Sequence, residues 1–346
     1  LDTFAQLPAK ELEAYFIEAA SRLGLPPHVV EKDFWVCWTL KRVFTLDGIS
    51  DTLLFKGGTS LSKVHGLIRR FSEDIDVSIH REKLGFSGDH DPLLAEHSNK
   101  KREKLKADLA EAACAFITGK IQPALQGSIE SALPATDGRT WKLEPDATDP
   151  DGQSLAFTYP STGLTPAGNA YLRPSVKIEF GARSDHWPAE TRPLKPYLSD
   201  AIPDAMEEPV VKVKTMDAAR TFWEKATILH QMSHLPEGKG FPERYSRHYT
   251  DLATMIQQGV GEEAAAKENL LEAVVLHKIA FYRSAWASYE TAKRGSLRLL
   301  PAEKSMADLK ADLTSMKDMF FDEPPSFQSV IDTLTEFETT FNTAVP

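Results

Sequence analysis

Apolar residues recur at two spacings along this chain, and the change of spacing marks out its elements. Phe4, Leu7, Leu12, Phe16 and Leu23 follow a helical interval, and Pro26-Pro27 opens a second helical pattern carrying Val30, Phe34, Cys37, Trp38 and Phe44. Asp51-Thr-Leu-Leu-Phe55 is instead a short apolar run stopped by Gly57-Gly58, the signature of a buried strand. Thr59 or Ser60 then caps a helix with Leu61, Val64 and Ile68 on one face. Ile75, Val77 and Ile79 alternate with Asp74, Asp76 and Ser78, so a period-two strand directs both aspartates to one side.

Farther along, Arg81 to Asn99 reads as a loop before a long helix bearing Leu105, Leu109, Ala113 and Phe116. Turn residues punctuate short apolar runs from Ala132 to Asn169, among them Leu155 to Tyr159, and Ser175 to Phe180 supplies another strand. Val210 to Val213 is the last strand expected. Beyond it the periodicity is helical, with stripes at Leu271, Val275, Tyr282, Trp286 and Tyr289, at Met306, Leu309, Leu313, Met316 and Phe320, and at Phe327, Val330, Leu334, Phe337 and Phe341. The expected architecture is therefore α/β (α+β): a mixed twisted sheet with covering amino-terminal helices over residues 1–210, followed by a C-terminal α-helical bundle over residues 211–346.

Composition narrows the function. A chain of 346 residues buries a large core, and its net charge of -10 excludes wholesale coating of nucleic acid, which depends on neutralising phosphates with Lys and Arg. A local basic groove stays open, from Lys100-Lys-Arg102 with Lys104 and Lys106 or from Arg69-Arg70; either an RNA contact or a plain solvated helix face accounts for the first cluster. With two cysteines and no apolar run of about 18 residues, neither a disulfide framework nor membrane insertion is expected, and a cytoplasmic protein fits. Residue 1 is Leu rather than Met, which leaves open both a few preceding residues and a cleaved leader.

The chemistry concentrates between Lys56 and Val77. A glycine pair lets backbone approach closely, a helix start offers N–H groups to a triphosphate, and Lys56 and Lys63 add positive charge. Asp74 and Asp76 on one strand face make a site for a hard cation, Mg²⁺ with Mn²⁺ as the alternative, whose coordination shell a nucleotide completes. Glu179 alternates with Ile178 and Phe180 and can face the same cleft, or it can be a surface strand carboxylate. Arg247 can bind phosphate or pair with Asp251 one helical turn on, and Lys225 stands at the margin of an apolar helix face set by Phe222, Ala226 and Leu229. His230 and His234 lack a zincin glutamate, no Walker A ending follows the glycines, and no nucleophile elbow is present.

The run KGGTSL from Lys56 followed by R-F-SEDID from Arg70 to Asp76 resembles the AbiEii/AbiGii toxin branch of the polymerase-beta-like nucleotidyltransferase superfamily, which includes the MenT toxins. Val29 to Phe44 is similar to that family's amino-terminal helix, Ser175 to Phe180 to its third carboxylate strand, and TMDAARTFWEKATILH and RYSRHYTDLATMI to its later helical motifs. The interval from Gly58 to Asp74 is longer than the general superfamily spacing. The resemblance implies transfer of a nucleoside monophosphate from an NTP to an RNA acceptor, the tRNA 3′ end, with release of pyrophosphate. It implies catalytic roles for Asp74, Asp76, Glu179, Lys225 and Asp251, with Asp74 and Asp76 as metal ligands. Nucleotide contacts fall to Lys56, Gly57, Gly58, Thr59, Ser60, Lys63, Ser72 and Arg247, and a cognate antitoxin is the implied partner. Two other readings stand beside it: transfer to a protein or small molecule, and an inactive nucleotide-binding module of a phage-defence assembly.

Overall fold

Among the described residues seven strands join in one sheet: β1 (Leu53–Lys56), β2 (Ile75–Ile79), β3 (Lys142–Pro145), β4 (Ser154–Thr158), β5 (Ser175–Gly181), β6 (Ala189–Leu194) and β7 (Val211–Met216). Their spatial order is β3-β4-β5-β2-β1-β7-β6. The sheet is mixed, with β1 antiparallel to β2 but parallel to β7, and β2 parallel to β5. The computed structural model describes residues 1–133, 138–165 and 173–344, so residues 134–137 and 166–169 of the expected turn-rich stretch lie outside the described residues.

The chain divides into two units, Leu1–Val64 with Ser72–His90 and Leu105–Thr215, and His65–Phe71 with Asp91–Lys104 and the chain from Met216 onward. The first therefore runs past residue 210, and two short excursions leave it. Phe55 of β1 pairs with Thr215 of β7, and Val211 and Val213 are buried, which keeps this strand with the sheet rather than with the helices that follow.

Alternation explains the core of the first unit. Ile75, Val77 and Ile79 of β2 and Val176 and Ile178 of β5 are wholly buried, and each such side chain contributes about 1.5–3 kcal/mol by leaving water. Helix Pro27–Val43 packs on β5, opened by the expected proline at its first turn. On this helix Trp35 stacks on Tyr159 at 5.4 Å and Trp38 on Phe157 at 5.6 Å.

The second unit is helical, with Ala218–Ser233, Ser246–Gln257, Val260–Ala265, Glu268–Phe281, Met306–Ser315 and Phe327–Thr343 as its main elements. Phe337 and Phe341 of the last helix close on Trp223. The stripe expected to run from Leu271 to Tyr289 is broken: the helix ends at Phe281, and Tyr289 belongs to a separate 3-10 turn. Met306–Ser315 likewise ends before Phe320, because residues beyond it turn and bridge to Arg70. Among the described residues no helix is long and apolar enough to cross a membrane.

Candidate active site

The register of four strands sets one polar row. Lys56 of β1 stands opposite Asp76 of β2, Asp76 is level with Glu179 of β5, and Glu179 is level with Ser154 of β4. Registered neighbours share a face, so Lys56, Asp76, Glu179 and Ser154 line one side while Val77 and Phe180 take the other. Lys177, two residues before Glu179, joins the polar side, and Asp74 lies one residue ahead of β2.

Gly57 explains how tightly this row is packed. Its φ of +79° is one that L side chains rarely adopt, and a Cβ there would fall 1.9 Å from Asp76 Oδ2. In this structure the close approach that the glycine permits is that of the Asp76 carboxylate.

The helix after β1 spans Gly57–Lys63 and starts at Gly57, not after a Thr59 or Ser60 cap. Both hydroxyls are turned inward and buried. Thr59 Oγ1 donates to the Asp74 carbonyl at 2.5 Å and sits 2.9 Å from Ser72 Oγ, while Ser60 Oγ donates to the Gly57 carbonyl at 2.8 Å. They fix the backbone of the two motif halves to each other and to the helix start. Ile68, expected on the same helix, lies beyond its end.

Lys63, expected to face phosphate, is instead committed to the core. Its Nζ lies 2.6 Å from Asp33 Oδ1, both side chains are 4% exposed, and it sits 3.5 Å from the Tyr197 ring centroid. Burial alone would release its proton, but the Asp33 charge more than compensates and keeps it an ammonium. Asp33 also accepts from the Tyr197 backbone N–H at 2.6 Å. A cation so enclosed has no face left for a nucleotide.

Two neighbours of Asp33 escaped the sequence reading. Lys32 forms an ion pair with Glu73, the residue before Asp74, and donates to the Arg173 carbonyl at 3.2 Å. Glu31 accepts from the Thr162 backbone N–H at 2.7 Å. Three consecutive charged residues buried on a helix are themselves a signal, since Lys, Glu and Asp are almost never enclosed unless paired. Another missed residue is Lys177, whose Nζ lies 2.6 Å from Glu179 Oε1 and 3.5 Å from Asp146 Oδ2.

The second unit holds Lys225, Arg247 and Asp251. Lys225 is 7% exposed rather than reaching outward, and its Nζ bonds Asp251 at 2.9 Å. Arg70, in one of the excursions, grips the same carboxylate in a bidentate fork with both contacts at 2.8 Å. Burial disfavours the Asp251 charge, yet Arg70 and Lys225 outweigh it and hold the carboxyl well below its usual range. Burial, opposed by Asp251 and helped by Arg70 and Arg247, lowers Lys225. Asp251 thus spends its lone pairs on Arg70 and Lys225, and the i,i+4 partnership with Arg247 is not the one that holds it.

Other polar candidates have structural duties. His230 accepts from the Arg298 backbone N–H at 3.0 Å through Nδ1 and meets the Ser288 carbonyl at 3.0 Å through Nε2, and His234 bonds the His230 carbonyl. In the basic cluster, Arg102 donates to the carbonyls of Pro92 and Leu94. Arg69 pairs with Asp322 at 2.5 Å.

Among the described residues no three His, Cys, Asp or Glu side chains gather into a preformed metal cage. The donor chemistry nonetheless fits Mg²⁺, because Asp74 and Asp76 offer hard oxygens in the loose, carboxylate-poor manner that Mg²⁺ completes with water and phosphate. Mn²⁺ accepts the same ligands.

The family model described as nucleotidyl transferase AbiEii toxin, Type IV TA system, matches residues 38–342, which include Lys56 to Asp76, Glu179, Lys225 and Asp251. A search among curated proteins found no significant match. Among solved structures, MenT4, a nucleotidyltransferase toxin from Mycobacterium tuberculosis H37Rv, is similar at 16% identity and a TM-score of 0.41, over 96% of this chain and 99% of that one.

Proposed function

Because the chain belongs to the AbiEii nucleotidyl transferase toxin family of type IV toxin–antitoxin systems, we propose that it transfers a nucleoside monophosphate from an NTP to the 3′ hydroxyl of an RNA acceptor, tRNA in particular. The observation that carries this reading is the alignment of Asp76 with Glu179 across β2 and β5, with Asp74 at the strand entrance.

In this reading Asp74 and Asp76 hold Mg²⁺, which supplies charge neutralisation at the phosphates when bound. Glu179 takes the proton of the attacking hydroxyl; the acceptor oxygen bonds to the α-phosphorus as the bond to pyrophosphate breaks. Lys56 at the row's edge and the first-turn N–H groups from Gly57 to Ser60 bind phosphate oxygens. Thr59 and Ser72 act through the Asp74 backbone, which they position by hydrogen bonding. On the family match over residues 38–342 we also assign catalytic roles to Lys225 and Asp251 and a nucleotide contact to Arg247. We assign it a cognate antitoxin, a cytoplasmic setting and a place in a toxin–antitoxin or phage-defence system.

The test is label transfer from each of the four α-³²P NTPs, with Mg²⁺, into total RNA and protein. Label in tRNA that disappears in a folded Asp74→Ala variant is expected. Label confined to protein moves the acceptor to a polypeptide, and NTP binding without pyrophosphate release makes the chain a binding module.

A further inference from the structure

Lys177 is a cation built into the carboxylate face. Its ammonium touches Glu179 at 2.6 Å and Asp146 at 3.5 Å, and Glu179 is the registered neighbour of Asp76. Strand geometry fixes this arrangement. Residues 177 and 179 are two apart on β5 and share a face, so the lysine cannot leave the carboxylates without its side chain swinging away. The charges of Glu179, Asp146 and Asp74 all favour its protonated form, although partial burial opposes it.

We propose that Lys177 is a tethered counter-ion that competes with the divalent cation for the acidic face, holding Glu179 until a metal arrives and then yielding it. The inference rests on the Asp74 and Asp76 metal reading and deepens it. The ammonium already lies against Glu179, and on a flexible stem and one-third exposed it is able to move when a second cation reaches the same acidic face. Without Lys177 the acidic face would carry one more unit of net negative charge. Bare metal would then bind more tightly before any nucleotide arrives. A mobile lysine also has a second partner available once a triphosphate is present, since the oxygens of that ligand replace the carboxylate it gives up.

Mn²⁺ binding without nucleotide, followed by electron paramagnetic resonance, tests this independently of turnover. Lys177→Met is expected to tighten Mn²⁺ on the order of tenfold, the effect of removing one unit charge from beside a divalent ion in a water-like dielectric. Lys177→Arg keeps the charge and should stay near the wild-type affinity. Unchanged or weaker binding in Lys177→Met, with a wild-type melting curve, overturns the competition. If Asp74→Ala and Asp76→Ala bind Mn²⁺ as well as wild type, the metal reading itself fails and takes this inference with it. The two failures are told apart by which variants respond.

Discussion

Replacing Gly57 with alanine separates a glycine kept for its backbone from one kept for its neighbour. An alanine at φ +79° carries a conformational penalty of about 1–2 kcal/mol. The new methyl would also lie 1.9 Å from Asp76 Oδ2, 2.7 Å from Cγ and 3.0 Å from Cβ, so the carboxylate must rotate and the strand beneath it must give. Overpacking of this kind adds about 1–3 kcal/mol. Gly57→Ala should therefore destabilise the first unit by about 2–5 kcal/mol and lower nucleotidyl transfer further than its stability loss explains, because Asp76 no longer stands beside Glu179. Urea denaturation of four proteins gives the decisive comparison: wild type, Gly57→Ala, Asp76→Ala and the double variant. With Asp76 cut back to Cβ, the added methyl loses its worst contacts, and its cost should fall towards the backbone penalty of about 1–2 kcal/mol. Equal costs in the two backgrounds would refute the claim that this glycine exists to admit the carboxylate.

Three further outcomes follow from buried charge. Lys63→Met strands Asp33 and should cost about 3–5 kcal/mol, most of it recovered when Asp33 is made apolar as well; guanidinium unfolding of the single and double variants checks this. Asp251→Asn leaves Arg70 and Lys225 without their shared counter-charge and should destabilise the second unit by a similar few kcal/mol, read as faster amide exchange along Ser246–Gln257; protection equal to wild type contradicts it. His186, pushed down to about 3 chiefly by burial, stays neutral in the fold but protonates near pH 6.5 when unfolded. The unfolded state thus binds the extra proton between those values. His186 accordingly makes stability fall by up to about 1.4 kcal/mol per pH unit as pH drops from 6.5 toward 3, and His186→Asn should flatten that slope in urea titrations at pH 6.5 and 4.5.

The strands were legible because their patterns are local. Alternation located β2 and β5 to within a residue or so, and the apolar run ending at Gly57 located β1. Register was not legible: that Asp76 meets Glu179 and Lys56 depends on which strands pair, a choice made by the whole sheet. The partner of Gly57 was hidden for the same reason. The sequence shows that a glycine is needed, while only the β1–β2 pairing shows that it makes room for Asp76. Lys63 was misread because positive charge beside a phosphate motif suggests phosphate, yet its neutralising aspartate sits 30 residues earlier on another helix. Arg70 reads as half of a basic pair offering a groove, and its carboxylate lies 181 residues away. The stripe through Leu271 to Tyr289 failed differently, since aromatic residues in turns can mimic helical spacing after the helix has ended.

Glu31, Lys32 and Asp33 suggest why so much charge is enclosed where apolar side chains would be cheaper to bury. Each leaves the same helix turn toward a different part of the first unit: Glu31 to Thr162, Lys32 to Glu73 and the Arg173 carbonyl, Asp33 to Lys63 and the Tyr197 N–H. Taking such groups out of water costs several kcal/mol per ion, and their attraction roughly cancels that cost, so net stability is a weak reason for their presence. Direction is a better one. An apolar contact tolerates sliding by an ångström, whereas an ion pair with further hydrogen bonds fixes both partners. The segments tied down are those that bracket the carboxylates: Glu73 adjoins Asp74, Lys63 ends the helix begun at Gly57, and Arg173 leads into β5 and Glu179. The helix Pro27–Val43 thus acts as a jig. Its apolar side packs the sheet, and its charged turn sets the three segments around Asp74, Asp76 and Glu179 in fixed relation.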